Sequence, residues 1–293
     1  MKLSWILGLL LLVIQNQMLQ PFTLFENNET LSVVNREDFI LGVPGVKLLN
    51  MERLEEFTTQ VDIQVKKAPV DATIDPAGRI IPEKVGYMLN KPILKEKFSR
   101  YFYENGPATV EVPKNIIYPK IDSELLSHIR TNRIGQYITY FNASHKSRSH
   151  NIALATAAIN NRVLFPGEVF SFNEVVGKRT QERGYMKAPE IVKGEFTEGV
   201  GGGICQVSST LFNAVDRSGM TILERYSHSR KVPYVPPGRD ATVSWYGPDF
   251  TFKNEYNQPI LIRARAFNGK VVVFVYSSDS INNEPRNVPG ILQ

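Results

Sequence analysis

Apolar positions along the chain follow two rhythms. From Ile204 to Gly219, residues Ile204, Val207, Leu211 and Val215 recur every three or four positions, which predicts a helix with one buried face, and Gly219 suits its C-terminal cap. The earlier stretch HNIALATAAINNRV places Ile152, Ala155, Ile159 and neighbouring Ala158 on one helical face and reads as a core helix. The second rhythm is alternation. ATVEVP, RIGQYITYFNAS, ILIRARAF and KVVVFVYS alternate like strands, and the last two are joined by Asn268-Gly269, the strongest hairpin signal in the chain. Within ILIRARAF the alternation sets Ile260, Ile262, Ala264 and Ala266 on one face and Arg263 and Arg265 on the other.

The remaining segments fill in around these. MERLEEFTTQVDIQV predicts a short helix leading into a strand, and APVDATIDPAGRIIPEKVGYMLN reads as two extended segments joined by the turn DPAG. A helix is expected over residues 91–105. LFPGEVFSFNEVVG has a Pro-Gly turn between short apolar strands, and GYMKAPEIVKGEFTEGVGGG reads as strands and a glycine loop. After the 204–219 helix the chain turns β-rich through MTILERYSHS, DATVSW and FTFKN. The pattern predicts an α+β fold: a small α+β N-terminal domain over residues 21–125, a mixed α/β domain over 130–280 with a β-rich C-terminal half, and a loose tail over 281–293.

Composition bounds this picture. With 293 residues, 42% hydrophobic and 22% charged, the chain can bury a substantial core and is not disordered. A net charge of +5 suits an anionic partner, but 34 basic and 29 acidic residues are interspersed without a basic run that could track phosphates, so nucleic acid is not expected. At the N-terminus, MKLSWILGLLLLVI puts one lysine ahead of an apolar run of about twelve residues, the layout of a secretory leader. Residues 1–20 are therefore expected to be a signal peptide or, since QNQMLQPF offers no A-x-A-like cleavage site, a membrane anchor, and the protein is expected to be exported.

Export sharpens the meaning of the single cysteine. One cysteine cannot form an internal disulfide, which leaves a buried inert thiol or a reactive one. Cys205 follows three glycines and opens the amphipathic helix in EGVGGGICQVSSTLFN. A glycine turn allows close approach of a ligand, and the unpaired N–H groups and dipole of a helix start favour a thiolate. A cysteine nucleophile needs a base, an oxyanion hole and a group that orients the base. Of the four histidines, His128, His145, His150 and His228, the last lies just past the cysteine helix and is the candidate base, with Asp240 as its orienting carboxylate. Backbone N–H groups of Gly203, Ile204 or Cys205 are the candidate oxyanion donors, and Gly202, Gly203, Ile204, Gln206, Ser208 and Arg225 form the candidate oxyanion and substrate-binding set. The chain has no C-x-x-C, H-x-x-H or H-E-x-x-H spacing and GVGGG is neither a P-loop nor a Rossmann turn, so no metal and no cofactor are expected.

The stretch from about Tyr137 to Tyr276 resembles the VanW-domain family of bacterial cell-envelope proteins. The resemblance is carried by YITYFNAS, NIALATAAINNRVLFPGEVFSFNEVVGKRT, Gly184 to Ile191, GGGICQVSSTLFNA, ERYSHS, and VPYVPPGRDATVSW with FKN after it. Ahead of it, APVDATIDPAGRIIPEKVGYMLN is similar to the latter part of a peptidoglycan-binding domain that often precedes VanW domains, while the segment before Ala68 departs from a full copy. The resemblance implies a wall-associated or membrane-anchored protein of a Gram-positive-type bacterium, from a family named for vancomycin-resistance clusters. Some members look like L,D-transpeptidases with a cysteine nucleophile, and Cys205 stands at the matching position. The expected partner is then the peptidoglycan stem peptide. A noncatalytic wall-binding or envelope-assembly protein, and a cysteine peptidase or amidase on the same polymer, are the alternative readings.

Overall fold

The computed structural model describes residues 20–43, 45–192 and 195–290, so the leader or anchor expected over residues 1–20 lies outside the described residues except for Gln20. Among the described residues no helix is long and apolar enough to cross a membrane. The chain forms two compact units, one from residues up to Asp71 together with Glu83–Lys120, the other from Ala72–Pro82 together with Ile121 onward.

The first unit opens with the antiparallel pair β1 (Phe22–Glu26) and β2 (Glu29–Val34), turning at Asn27 and Asn28, whose φ values of 52° and 67° lie in the left-handed region that asparagine tolerates. Helix α1 (Met51–Val65) is capped by the Asn50 side chain, which accepts from the N–H groups of Glu52 and Arg53. It takes up all of MERLEEFTTQVDIQV. The strand expected at its end is absent, because Leu54, Thr58, Val61 and Val65 keep a three- or four-residue spacing that buries one helical face.

The short hairpin of β3 (Thr73–Ile74) and β4 (Ile80–Ile81) turns through DPAG as expected but belongs to the second unit. A continuous N-terminal domain over 21–125 is thus interrupted, since Ala72 and Ile74 bury their side chains with Leu126, Ile129 and Leu261. The first unit resumes with β5 (Gly86–Leu89), α2 (Lys91–Tyr103), β6 (Ala108–Glu111), which runs parallel to β1, and β7 (Lys114–Ile117), which pairs with β5. Its core is aromatic, with Phe98 at 4.5 Å from Phe39 and 5.0 Å from Phe22 between ring centroids.

The second unit runs through α3 (Ser123–Ile129), β8 (Asn132–Tyr140), α4 (Lys146–Ile159), β9 (Arg162–Leu164), β10 (Val169–Ser171) and α5 (Phe172–Val176). The hairpin of β11 (Lys187–Val192) and β12 (Glu195–Val200) leads to α6 (Ile204–Arg217), followed by β13 (Thr221–Glu224), β14 (Thr251–Lys253), β15 (Ile260–Phe267) and β16 (Lys270–Ser277). Its main sheet is antiparallel in the order β8-β16-β15-β9. Helices α4 and α6 cover one face, where Ile260, Ile262, Ala264, Val271, Val273 and Val275 join the core. On the other face Leu261 packs with α3 and the β3–β4 hairpin, while Arg263 and Arg265 donate to the carbonyls of Asp75 and Pro76. The fold is α+β.

Two features decide how the helix that carries the cysteine sits. Helix α6 approaches β8 so closely that a Cβ on Gly135 would stand 2.4 Å from the Ala214 carbonyl oxygen. Residues 281–290 of the expected tail are not loose, and 291–293 lie outside the described residues. Val288 is buried, Arg286 bonds Asp216 through its guanidinium at 2.9 Å and the Arg217 carbonyl through its N–H, and Tyr137 donates to the Pro289 carbonyl at 3.0 Å. The strap holds because α6 ends in an acid and an arginine whose partners lie in the C-terminal segment.

Deleting residues 284–293 is expected to lower stability by about 2 kcal/mol or more, since Val288 alone contributes that order on burial. A urea melt of the full and shortened chains measures it, and an unchanged midpoint would show the strap to be dispensable.

Candidate active site

The glycine turn is a packing necessity at each of its positions. Gly201 and Gly203 adopt φ values of 99° and 107°, in the left-handed region. A Cβ on Gly202 would stand 2.5 Å from the Ala188 carbonyl oxygen, because the backbone of β11 crosses directly over it. The buried Asn151 side chain of α4 ties the turn to that strand, donating to the carbonyls of Met186 and Gly202 and accepting from the Met186 N–H. Two arginines flank the turn. A Cβ on Gly203 would meet Arg148 at 3.1 Å, and one on Gly201 would meet the Arg179 stem at 3.1 Å.

Helix α6 begins at once after the turn and carries Cys205 in its first turn. It is buried nearly throughout, and its polar side chains are fully occupied. Ser208 donates to the Ala241 carbonyl at 2.5 Å, Ser209 accepts from the Ala241 N–H at 2.9 Å, and Asn213 donates to the Arg239 carbonyl at 2.7 Å. Arg239 in turn donates to the side chains of Asn213 at 2.7 Å and Asp216 at 2.6 Å, and its guanidinium stands 4.5 Å from the Phe212 ring. These bonds hold the segment DATVSW against the helix, which is why it forms only the single bridge Tyr226–Thr242 where a strand was expected.

Asp240 lies between the two residues pinned in this way. It is 6% exposed, and its Oδ2 accepts from both the backbone N–H and the ring Nδ1 of His228, each at 2.6 Å. The imidazole also lies within hydrogen-bonding and electrostatic reach of the Cys205 thiol. Cys205 is half-buried, with Sγ 3.9 Å from Thr242 Oγ1 and 3.6 Å from the Val243 carbonyl oxygen. Cys205, His228 and Asp240, chosen from separate parts of the sequence, therefore stand in one continuous chain of contacts. Burial by itself raises the thiol, but the hydrogen bond and charge of His228 outweigh it and draw Cys205 below the ordinary thiol range. For His228 burial favours the neutral ring, and the thiolate followed by Asp240 outweigh it and raise it. Burial raises Asp240, and the His228 N–H and ring bring it below the usual carboxylate value.

The other sequence candidates divide by where their polar atoms go. Gly202 and Ile204 spend their N–H groups on the carbonyls of Gly199 and Gly201, whereas those of Gly203 and Cys205 have no backbone partner among the described residues. Gln206 is 1% exposed and faces inward, donating to Thr139 Oγ1 and the Tyr140 carbonyl and accepting from Arg148 at 2.8 Å. Ser208 also faces inward. Arg225 donates to the carbonyls of Gly238 and Asp240 and to Ser227, with its guanidinium 5.0 Å from the Phe212 ring, so it braces the loop that presents Asp240. These three side chains support the site from behind. His128 sits in α3, His145 stands just before α4 without a side-chain capping bond, and His150 on α4 bonds the Gly184 carbonyl.

Three residues near the thiol carried no sequence signal. Arg148, Arg179 and Tyr234 all lie within electrostatic reach of Cys205; burial draws both guanidinium groups below their ordinary value and pushes the phenol up. Arg179 and Tyr234 do lie in stretches that carry the family resemblance, but nothing in the residue pattern ties any of the three to the chemistry of the cysteine. Among the described residues no cluster of ligating side chains could hold a metal ion.

Comparison with known proteins places this arrangement. The family model described as VanW like protein matches residues 147–276, a span that contains the turn, α6, His228 and Asp240. The chain is 56% identical over 284 residues, 97% of its own length and 94% of the relative's, to the uncharacterized protein YoaR of Bacillus subtilis (strain 168). The chain belongs to the VanW-like family. It is also 30% identical over 115 residues, 38% of the chain and 42% of the relative, to the vancomycin B-type resistance protein VanW of Enterococcus faecalis (strain ATCC 700802 / V583). No solved structure matches the chain.

The contacts of this VanW-like site predict a thiol that reacts readily near neutral pH. Alkylation of Cys205 by iodoacetamide is expected to remain fast below the ordinary thiol range and to fall only as the thiolate is protonated. In His228→Ala burial stays while its opposing charge is lost, so the inflection should move up and the rate at pH 7 fall roughly 10- to 100-fold. An unchanged pH profile would remove His228 from the site.

Proposed function

We propose that this VanW-like protein is an exported acyltransferase acting on the stem peptides of peptidoglycan, with Cys205 as nucleophile, in the manner of an L,D-transpeptidase. The observation that carries the reading is the contact chain from Cys205 through His228 to a buried Asp240. It combines a thiol biased to its anion, a ring that can shuttle a proton, and a carboxylate that fixes the ring's orientation. The family membership supports an envelope setting, and the N-terminal apolar run supports export.

In the proposed reaction the Cys205 thiolate attacks the carbonyl carbon that precedes a terminal D-Ala. The carbonyl electron pair moves to oxygen, where the N–H groups of Gly203 and Cys205, which have no backbone partner among the described residues, would receive it. Collapse re-forms the carbonyl and breaks the C–N bond, and D-Ala leaves with a proton from the His228 imidazolium. The side-chain amine of a diamino acid on a neighbouring stem then attacks the thioester, gives its proton to His228 and releases the thiolate, leaving a 3–3 cross-link. Water in place of the amine would make the same steps a hydrolysis.

Muropeptides incubated with the protein are expected to yield a dimer that Cys205→Ala does not form. A mutant that forms the dimer as well as the wild type would refute the mechanism. Asp240→Asn is expected to lower the rate about 10- to 1000-fold while the melting curve is little changed, because it keeps the side chain's shape but removes the carboxylate charge that holds the protonated His228 ring.

A further inference from the structure

Among the cations around the thiol, one is left without a partner. Arg148 bonds Gln206 at 2.8 Å and Arg183 donates to the Lys178 carbonyl at 2.9 Å. Both terminal nitrogens of Arg179, by contrast, are buried and bond no atom among the described residues. Asp249, the carboxylate whose field reaches Arg179, is committed elsewhere: it accepts from Ser171 Oγ at 2.5 Å, the Asn173 N–H at 2.9 Å and the Phe250 N–H at 2.7 Å. The guanidinium instead lies 5.8 Å from the Phe172 ring centroid, on an apolar surface.

A guanidinium whose two terminal nitrogens are buried with no acceptor is unfavourable by itself, and its strongest complement is a carboxylate taken in two parallel bonds. Its place is fixed by the cysteine turn. The stem lies against Gly201, four residues before the nucleophile, where a Cβ would stand 3.1 Å from Arg179 Cβ and 3.2 Å from Cγ. Gly201 thus keeps the arginine and the thiol on the same turn.

We infer that Arg179 is the carboxylate-binding residue of a subsite beside Cys205, so that the acyl donor is a peptide whose scissile bond joins its last residue, the one bearing the free C-terminal carboxylate. The inference rests on the acyltransfer reading and adds to it the residue that reads the free carboxylate, so that the site takes peptide ends and rejects internal or amidated bonds. Arg179 is a specificity residue here. The leaving amino acid is held by its carboxylate while its nitrogen takes the proton from His228.

The test uses alkylation, which forms a sulfur–carbon bond at Cys205 and releases iodide whether or not the protein turns over peptides. Rates with anionic iodoacetate and neutral iodoacetamide are compared in the full chain. Arg179→Met is expected to lower the iodoacetate-to-iodoacetamide ratio about tenfold, with Arg179→Lys in between. In the wild type, N-acetyl-D-alanine should slow alkylation while N-acetyl-D-alaninamide does not, an arm that needs no variant to fold. An equal fall with both reagents would make Arg179 a counter-ion of the thiolate alone and overturn the subsite, as would equal protection by acid and amide. Selective protection together with a Cys205-independent muropeptide dimer would leave the subsite standing and overturn the transferase reading.

Discussion

The arrangement depends on the hydrogen bonds between α6 and the backbone of Arg239–Ala241. Ser208, Ser209 and Asn213 are buried on the helix and would be unfavourable there without partners, and the loop supplies them. Because Cys205 stands one turn before those serines, the helix that presents the thiol also sets the position of Asp240. His228 is held by Asp240 through two donors to one oxygen, so its ring position follows from the same helix. Cys205, His228 and Asp240 come from a helix and from the segment that follows it yet share one reference frame, which is how a site made partly of loop residues can keep fixed geometry.

The glycines and the arginines complete that frame from the other side. Left-handed backbone at Gly201 and Gly203 and a crossing strand at Gly202 explain three consecutive glycines without appeal to flexibility. Removing three side chains leaves space, and the stems of Arg148 and Arg179 occupy it. Two cations are thereby brought near a thiolate in a mostly apolar interior, where charge interactions are strong.

Much of this was legible in the sequence where local pattern and chemistry coincide. The period of Ile204, Val207, Leu211 and Val215 set the helix, Asn268-Gly269 set the hairpin, and the lone cysteine after GGG set the position of greatest interest. His228 and Asp240 were reachable by short chain distance and chemical need. What could not be read were contacts that periodicity does not encode. Gln206 and Ser208 looked like polar residues at a site mouth, but helix geometry turns them inward to Thr139, Tyr140 and Ala241. Arg179 was not among the candidates, and only the fold lays it along Gly201. The tail read as loose because its partners, Asp216 and Tyr137, lie more than sixty residues away.

The Asn151 clamp has a consequence for variation within the family. Its amide bonds Met186 just before the β11–β12 hairpin and Gly202 just after it, and the Gly201 N–H closes the same loop onto the Met186 carbonyl at 3.1 Å. The two ends of the hairpin are therefore joined at its base by bonds that do not involve its tip. Such a hairpin can lengthen, shorten or change sequence outside the clamp without moving the cysteine turn, as surface insertions do when their ends are fixed. Beyond Ala188 and Pro189, whose carbonyls pack on Gly202, the hairpin is thus a module in which relatives could diverge while the cysteine turn keeps its place.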